Sequence, residues 1–293
     1  MSARRIFVQI PAYLDTELAS TLRDLYRKAA EPETLRTVVL WQHDEGQALP
    51  ADVLRLPGLT IIETDAAASR GPNWARRRLG EELADEPYSL LLDSHHRFAP
   101  GWDAQVVGMH EGLVGRGIPK PLVTSYLPAY LPGAGARSRQ QDPYVVSPME
   151  RDDGVLTRLT SHPLYRWEVL EAPVRGTYVS LHFLFSSSDF TREVPIDPAV
   201  YFFGDEIALS VRAFTYGWDV YHPHRILGWH AYDRASREPH WERHREWGDA
   251  QRASLARQRS LYTGGSDTAQ LRGSARSVAD FEAHALHRLV VAA

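Results

Sequence analysis

The stretch Tyr88-Ser89-Leu90-Leu91-Leu92-Asp93-Ser94-His95 decides how this chain is read. A short apolar run ends abruptly in an acid and an imidazole, one residue apart. A run of this length, preceded by Pro87 and followed by polar residues, predicts a buried strand. Alternate side chains of a strand share a face, so Asp93 and His95 are expected to point the same way, roughly 7 Å apart at the backbone. The longer imidazole closes that gap and lets both groups meet one divalent ion. Ligands of open α/β sheets gather beyond the carboxyl ends of strands, which is where this acid falls. An acid in that position, taken alone, more often caps the following turn, so the rest of the chain has to decide.

Upstream of this stretch, Ile6 to Ile10 reads as a first strand closed by Pro11-Ala12-Tyr13. Asp15 then reads as the N-cap of a helix with Leu18, Leu22, Leu25 and Ala29 on one stripe, stopped by Pro32. Thr37–Trp41 and Leu59–Glu63 read as strands, and Gly71-Pro72 opens a helix over Asn73–Ala84. This β-α-β-β-α-β order predicts an α/β domain with a mostly parallel central sheet flanked by helices. No Gly-x-Gly-x-x-Gly follows the first strand and no Walker A sequence occurs, which gives a dinucleotide fold or a P-loop no support.

Downstream, Trp102–Leu113 reads as a helix and Pro121–Tyr126 as a strand. Residues 127–176 are rich in Pro, Gly and Arg and weak in periodicity, so they are expected to be an irregular lid or acceptor-binding segment. Tyr178–Phe185 is expected as a strand, Asp205–Phe214 as a helix, and Pro239–Tyr262 as one Arg- and Trp-rich helix that packs on the domain. The organisation expected is one domain over 1–262, with 263–293 as a C-terminal tail packed against it.

Composition narrows the function. Of 293 residues, 43% are hydrophobic, enough for a sizeable core. A net charge of -4 implies no polyanion-binding surface, so no nucleic-acid partner is expected. The absence of cysteine excludes disulfides, thiolate metal sites and a Cys nucleophile. No apolar run approaches a membrane span, and the N-terminal one is too short for a signal peptide, so a cytoplasmic protein without a membrane partner is expected.

Three clusters can carry chemistry: Asp93-Ser94-His95, Phe202-Phe203-Gly204-Asp205-Glu206, and the histidines His222, His224 and His230. One carboxylate and one or two imidazoles, with no thiolate, suit a borderline divalent ion such as manganese, and also fit zinc. An ion with open positions can neutralise charge on a departing nucleoside diphosphate. Arg70 and Arg76 flank the start of a helix, an arrangement that favours phosphate groups, although an arginine run is more often a solvated face. Asp205 and Glu206 open a helix, where acids meet the dipole favourably; one of them could instead position an acceptor hydroxyl or steady positive charge on a sugar. Spacing alone does not choose among the three histidines.

The motifs together resemble a known family. Ile6-Phe7-Val8-Gln9-Ile10-Pro11-Ala12-Tyr13, Arg70-Gly71-Pro72 with Ala75-Arg76, Asp93-Ser94-His95 with Arg97-Phe98, Phe203-Gly204-Asp205-Glu206-Ile207, Gly217-Trp218-Asp219 and His230-Ala231-Tyr232 run in the order found in the GlcNAc-transferases that include the protist enzymes acting on hydroxyproline of a ubiquitin-ligase subunit. The resemblance implies a GT-A-type fold, a UDP-sugar donor, most often UDP-GlcNAc, and manganese, with magnesium as the alternative ion. It implies Asp93, His95 and His230 as metal ligands, and Pro11, Ala12, Tyr13, Arg70, Arg76 and Ser94 around the nucleotide. Asp205 and Glu206 are then expected to face the sugar and acceptor as the catalytic pair, with transfer retaining anomeric configuration. The acceptor would be a hydroxyl on a peptide, protein or small natural product. The chain departs from the family pattern at Asn73 and at Ser180-Leu181-His182-Phe183, beneath the expected donor sugar. Two other readings of the same residues are a nucleotidyltransferase, and a non-catalytic sugar-nucleotide or glycan-binding protein.

Overall fold

The structure is a computed structural model and describes residues 5–235 and 237–292. In chain order the strands are β1 (Ile6–Tyr13), β2 (Leu35–His43), β3 (Leu59–Asp65), β4 (Tyr88–Leu92), β5 (His96–Phe98), β6 (Pro121–Thr124), β7 (Tyr144–Asp152), β8 (Val155–Pro163), β9 (Val174–Arg175), β10 (Phe183–Ser187), β11 (Asp219–His222) and β12 (Gly228–His230). The helices are α1 (Leu18–Lys28), α2 (Pro72–Gly80), α3 (Trp102–Gly115), α4 (Asp189–Glu193), α5 (Asp205–Thr215), α6 (His240–Arg243), α7 (Trp247–Thr263) and α8 (Val278–Ala285).

Among the described residues, eight strands form the central sheet in the order β3-β2-β1-β4-β10-β6-β11-β9. β3, β2, β1 and β4 are parallel, as are β6 and β11; β10 is inserted antiparallel between β4 and β6. This is the expected mostly parallel sheet flanked by helices. Apolar residues of β1 and β4 are fully or almost fully buried, as strands covered on both faces should be. Leu18, Leu22 and Leu25 of α1 fall in the same core as Val8, Leu90 and Trp102. A second core joins Ile207 and Val211 of α5 to Leu261 of α7 and Phe281 of α8, so the C-terminal segment is tied into the fold by a fully buried aromatic ring.

Five expectations need correction. Residues 127–176 are not irregular throughout, because β7 and β8 pair as an antiparallel hairpin. Register shifts around Glu150 break the two-residue alternation by which a strand is recognised in a sequence. Tyr178–His182 is not part of β10. Its backbone amides go to side chains instead: Val179 N–H to Ser210 Oγ (2.9 Å), Ser180 N–H to Thr124 Oγ1 (2.8 Å) and Leu181 N–H to Glu206 Oε1 (2.8 Å). The expected helix over 239–262 is broken between α6 and α7, and α2 stops at Gly80. Asp15 does not cap α1, whose first residue follows Glu17; its carboxylate serves another purpose.

Candidate metal and nucleotide site

β4 ends at Leu92, so Asp93 and His95 lie on a bend between β4 and β5 rather than in a strand. Convergence therefore comes from the bend and not from strand alternation. β5 then pairs antiparallel with β12, placing His230 directly opposite His96. The pairing continues outward, with Ala231 N–H donating to His95 O (3.0 Å) and His230 N–H to Pro128 O (3.0 Å). Gly228 permits this ribbon, since a Cβ there would lie 2.6 Å from the Arg97 carbonyl oxygen. The outcome is that His230, 135 positions from His95 in the sequence, is delivered by backbone pairing to the strand tip.

One ligand atom from each of Asp93, His95 and His230 lies within 4.8 Å of the others. His230 Nε2 is 3.5 Å and His95 Nε2 3.8 Å from Asp93 Oδ2. His95 Nδ1–H donates to Asp15 Oδ2 at 2.7 Å, and Ser94 Oγ donates to the same oxygen at 2.6 Å. Burial opposes ionisation of Asp15, but these bonds from His95 and Ser94 hold its carboxyl below the usual range, so it is the acceptor. A carboxylate on one ring nitrogen leaves the other nitrogen's lone pair free, as metal-binding histidines require. His95 Nε2 and both ring nitrogens of His230 are buried with no hydrogen-bond partner. Burial pushes the His230 imidazole well below its ordinary value, so it is neutral and able to ligate. Burial also opposes the charge of Asp93, yet contact with His230 and the Arg76 guanidinium keep it well below the usual carboxylate range. A carboxylate and two neutral imidazoles with unpartnered buried nitrogens fit a borderline divalent cation.

Neither competing histidine joins the cluster. His222 Nδ1–H donates to Thr124 O (2.7 Å) and its Nε2 accepts from Val146 N–H (3.4 Å). His224 lies in a different cavity, with Gln105 and Arg116.

Arg76, almost fully buried on α2, bridges Asp93 (3.3 Å) and Asp205 (3.0 Å). Asp205 Oδ2 also accepts from Asn73 Nδ2 (3.2 Å), while its Oδ1 accepts from the Glu206 amide (2.8 Å). Burial raises the Asp205 carboxyl, and Arg76 works against that rise. Asn73, expected as a departure from the family pattern, is thus part of the carboxylate's cradle. Glu206 differs from its neighbour: both its oxygens are taken, one by the Leu181 amide and the other by the Tyr126 hydroxyl. Glu206 therefore holds the segment beneath the site, and neither acid is on the wall of the neighbouring cleft.

A cleft of about 190 Å³ opens in front of the cluster, lined by Pro11, Tyr13, Arg76, Asp93, Ser94 and His95. Ala12 is not on its wall; the side chain is fully buried in the core. Arg70 is exposed beside the cleft and does not line it, while its neighbour Gly71 does. The far wall, built from Tyr201, Phe202, Arg234, Arg237, His240 and Trp241, was not anticipated as a whole. A polar, unhelical stretch carrying Arg and aromatic residues at 232–241 was the available signal. Asp15 gave no such signal, since its partner lies eighty residues away.

These features define an α/β domain with a cation-ready cluster and an arginine at the carboxyl edge of its sheet. The fold is shared with GalNAc-T7, whose crystal structure contains UDP, GalNAc and Mn2+: TM-score 0.62 at 13% identity, covering 97% of this chain and 59% of that one. It is also shared with S. aureus TarS 1-349, TM-score 0.51 at 10% identity, covering 90% of this chain and 73% of that one. The chain thus spans less than two thirds of the GalNAc-T7 chain. The GT-A-type arrangement expected from the sequence is the fold found. A search of curated proteins gave no match. The model of the Glycosyltransferase (GlcNAc) family matches residues 5–57 and 47–291, and the chain belongs to that family.

Proposed function

We propose that this protein is a metal-dependent retaining glycosyltransferase. It moves a sugar, GlcNAc in the first instance, from a UDP-sugar to a hydroxyl on a peptide, protein or small natural product. The observation that carries the reading is the convergence of Asp93, His95 and His230 with unpartnered buried nitrogens, behind an open cleft that Asp93 and His95 line. Family membership and the fold shared with GalNAc-T7, which was crystallised with UDP and Mn2+, support it.

Asp93, His95 and His230 would hold the cation, manganese in preference to magnesium because two of three ligands are nitrogen. When bound, such an ion neutralises negative charge on the departing diphosphate. Pro11 and Tyr13 wall the cleft on the nucleotide side, and Arg76 lies between the two carboxylates. Arg234 and Arg237 add positive charge on the opposite wall. Asp205, held by Arg76, Asn73 and a helix amide, orients the sugar and steadies positive charge on it; with retention, the departing phosphate oxygen can itself take the acceptor proton. Residues 127–176 are our candidate for acceptor contact. Among the described residues no helix is long and apolar enough to cross a membrane.

The test is mass spectrometry of products from UDP-GlcNAc, UDP-Glc and UDP-Gal with Mn2+, Mg2+ or EDTA, against hydroxyproline peptides and small alcohols. Mn2+-dependent UDP release and a hexosamine mass increment on one acceptor are expected. No release from any donor, together with no Mn2+-dependent thermal stabilisation by UDP, would sink the reading.

A further inference from the structure

The turn Tyr201-Phe202-Phe203-Gly204 enters α5 and so places Asp205. It also supplies Tyr201 and Phe202 to the cleft wall. From the front it is fixed by Asn73, which donates to Val200 O at 2.7 Å. From behind it is held by one face of α7. Ser254 Oγ accepts from Tyr201 N–H (3.0 Å), and Gln251 Oε1 accepts from Phe203 N–H (3.1 Å). Gln251 Nε2 and Gln258 Nε2 both donate to Phe203 O, at 3.2 and 2.7 Å. Gln258 also donates to Ser254 Oγ at 3.1 Å.

Residues 251, 254 and 258 are spaced three and four apart, which puts them on one face of the helix. Ser254 and Gln258 are fully buried, beside the apolar residues with which α7 joins the second core. Buried polar side chains on an otherwise apolar helix face are costly unless bonded, and these direct their hydrogen bonds at one turn. Gly204 completes the fit: its φ of +87° is left-handed, and a Cβ there would collide with the Gln258 amide. None of the three α7 residues lines the cleft.

We propose that Gln251, Ser254 and Gln258 are positioning residues for the transfer reaction, acting on Asp205 and the cleft wall through the 201–204 turn. This rests on the transferase reading above. A merely structural role would lower stability and leave the folded enzyme's turnover intact. A positioning role instead lowers kcat per folded molecule, because small displacements of an orienting group are expensive in rate.

The experiment compares wild type with Gln258→Met, which keeps volume and loses the donor, and with Gln251→Ala and Gln251→Glu on the half-exposed position. Donor kinetics with UDP-GlcNAc and Mn2+ are paired with hydrogen exchange of the 201–205 amides. We expect faster exchange at Tyr201 and Phe203, kcat reduced about tenfold, and a donor KM within about threefold. Gln251→Glu, which keeps the acceptor for Phe203 N–H but loses the donor to Phe203 O, should recover part of what Gln251→Ala loses. Should Gln258→Met fail to fold, the Gln251 pair decides. Folded variants with wild-type kcat and wild-type exchange overturn this inference alone. A wild-type protein without turnover on any donor overturns the transferase reading and the positioning role with it.

Discussion

His222 and His230 each end a short strand, and each is almost fully buried. Burial holds both imidazoles below their ordinary value, His222 at about 4 and His230 well down from its usual range, so both are neutral. They differ in what their nitrogens meet. His222 spends one on the Thr124 carbonyl and the other on the Val146 amide. His230 leaves both unpartnered, with the Asp93 carboxylate 3.5 Å away. Burial and neutrality are thus shared by a structural and a ligand-ready histidine. What separates them is satisfaction, since an unpaired buried nitrogen costs on the order of 1–3 kcal/mol unless something fills it.

The largest expected break in this comparison is Asp93→Ala. It removes the only carboxylate of the cluster, and turnover should fall by about a thousandfold or more, with loss of Mn2+-dependent stabilisation by UDP in a thermal-shift titration. Retention of metal-dependent turnover in this variant would show that the cluster is not the cation site. Next in size is Asp15→Ala, two bonds removed from any ion. Without its carboxylate, His95 loses the acceptor that fixes Nδ1 as the protonated nitrogen. Affinity for Mn2+ should weaken about 10- to 100-fold, measured by activation curves, while saturating Mn2+ restores part of the rate. An unchanged activation constant would mean that the Asp15–His95 bond is incidental.

The same comparison explains what the sequence could and could not disclose. Asp93 and His95 stood out because they follow an apolar run, and apolar runs are legible by composition; His230 was set apart from His222 and His224 by the family resemblance. The stripe Leu18, Leu22, Leu25 was legible by its helical period. Asp15 was misread as a cap because capping is local, whereas its real partners, Ser94 and His95, come from the bend that follows β4, the strand paired beside β1. Glu206 looked equivalent to Asp205 on the helix start, but its fate was set by Tyr126 and Leu181 from distant segments. The β7–β8 hairpin escaped because its bulge erases alternation. Local period and composition gave the sheet; the assignment of polar side chains required knowing which long-range groups they face.

A smaller effect tests the structural side of the comparison. His222→Phe removes both hydrogen bonds and leaves the Thr124 carbonyl and Val146 amide unpaired. Stability should drop by about 2 kcal/mol in urea denaturation, while the Mn2+ activation constant of the folded protein stays within about twofold. A marked change in metal affinity would mean that His222 had been assigned to the wrong class.

The smallest effect concerns the two adjacent acids. Burial first, and the nearby Asp205 charge second, raise Glu206 to about 7, above its ordinary 4.5. A carboxyl that binds its proton more tightly when folded contributes stability at low pH. That contribution is lost as pH rises from the unfolded value through about 7, because the unfolded chain has already released the proton. Glu206→Gln cannot titrate; it keeps an acceptor for the Leu181 amide and can donate to the Tyr126 hydroxyl. The Tm of the variant relative to wild type should therefore climb by a few degrees between pH 5 and pH 8. Turnover at saturating donor should change little, since neither Glu206 oxygen faces the cleft. Parallel Tm profiles across that range would show that Glu206 is already ionised in the folded state at pH 5. Its pairing with Tyr126 and Leu181 would then be that of an ordinary carboxylate.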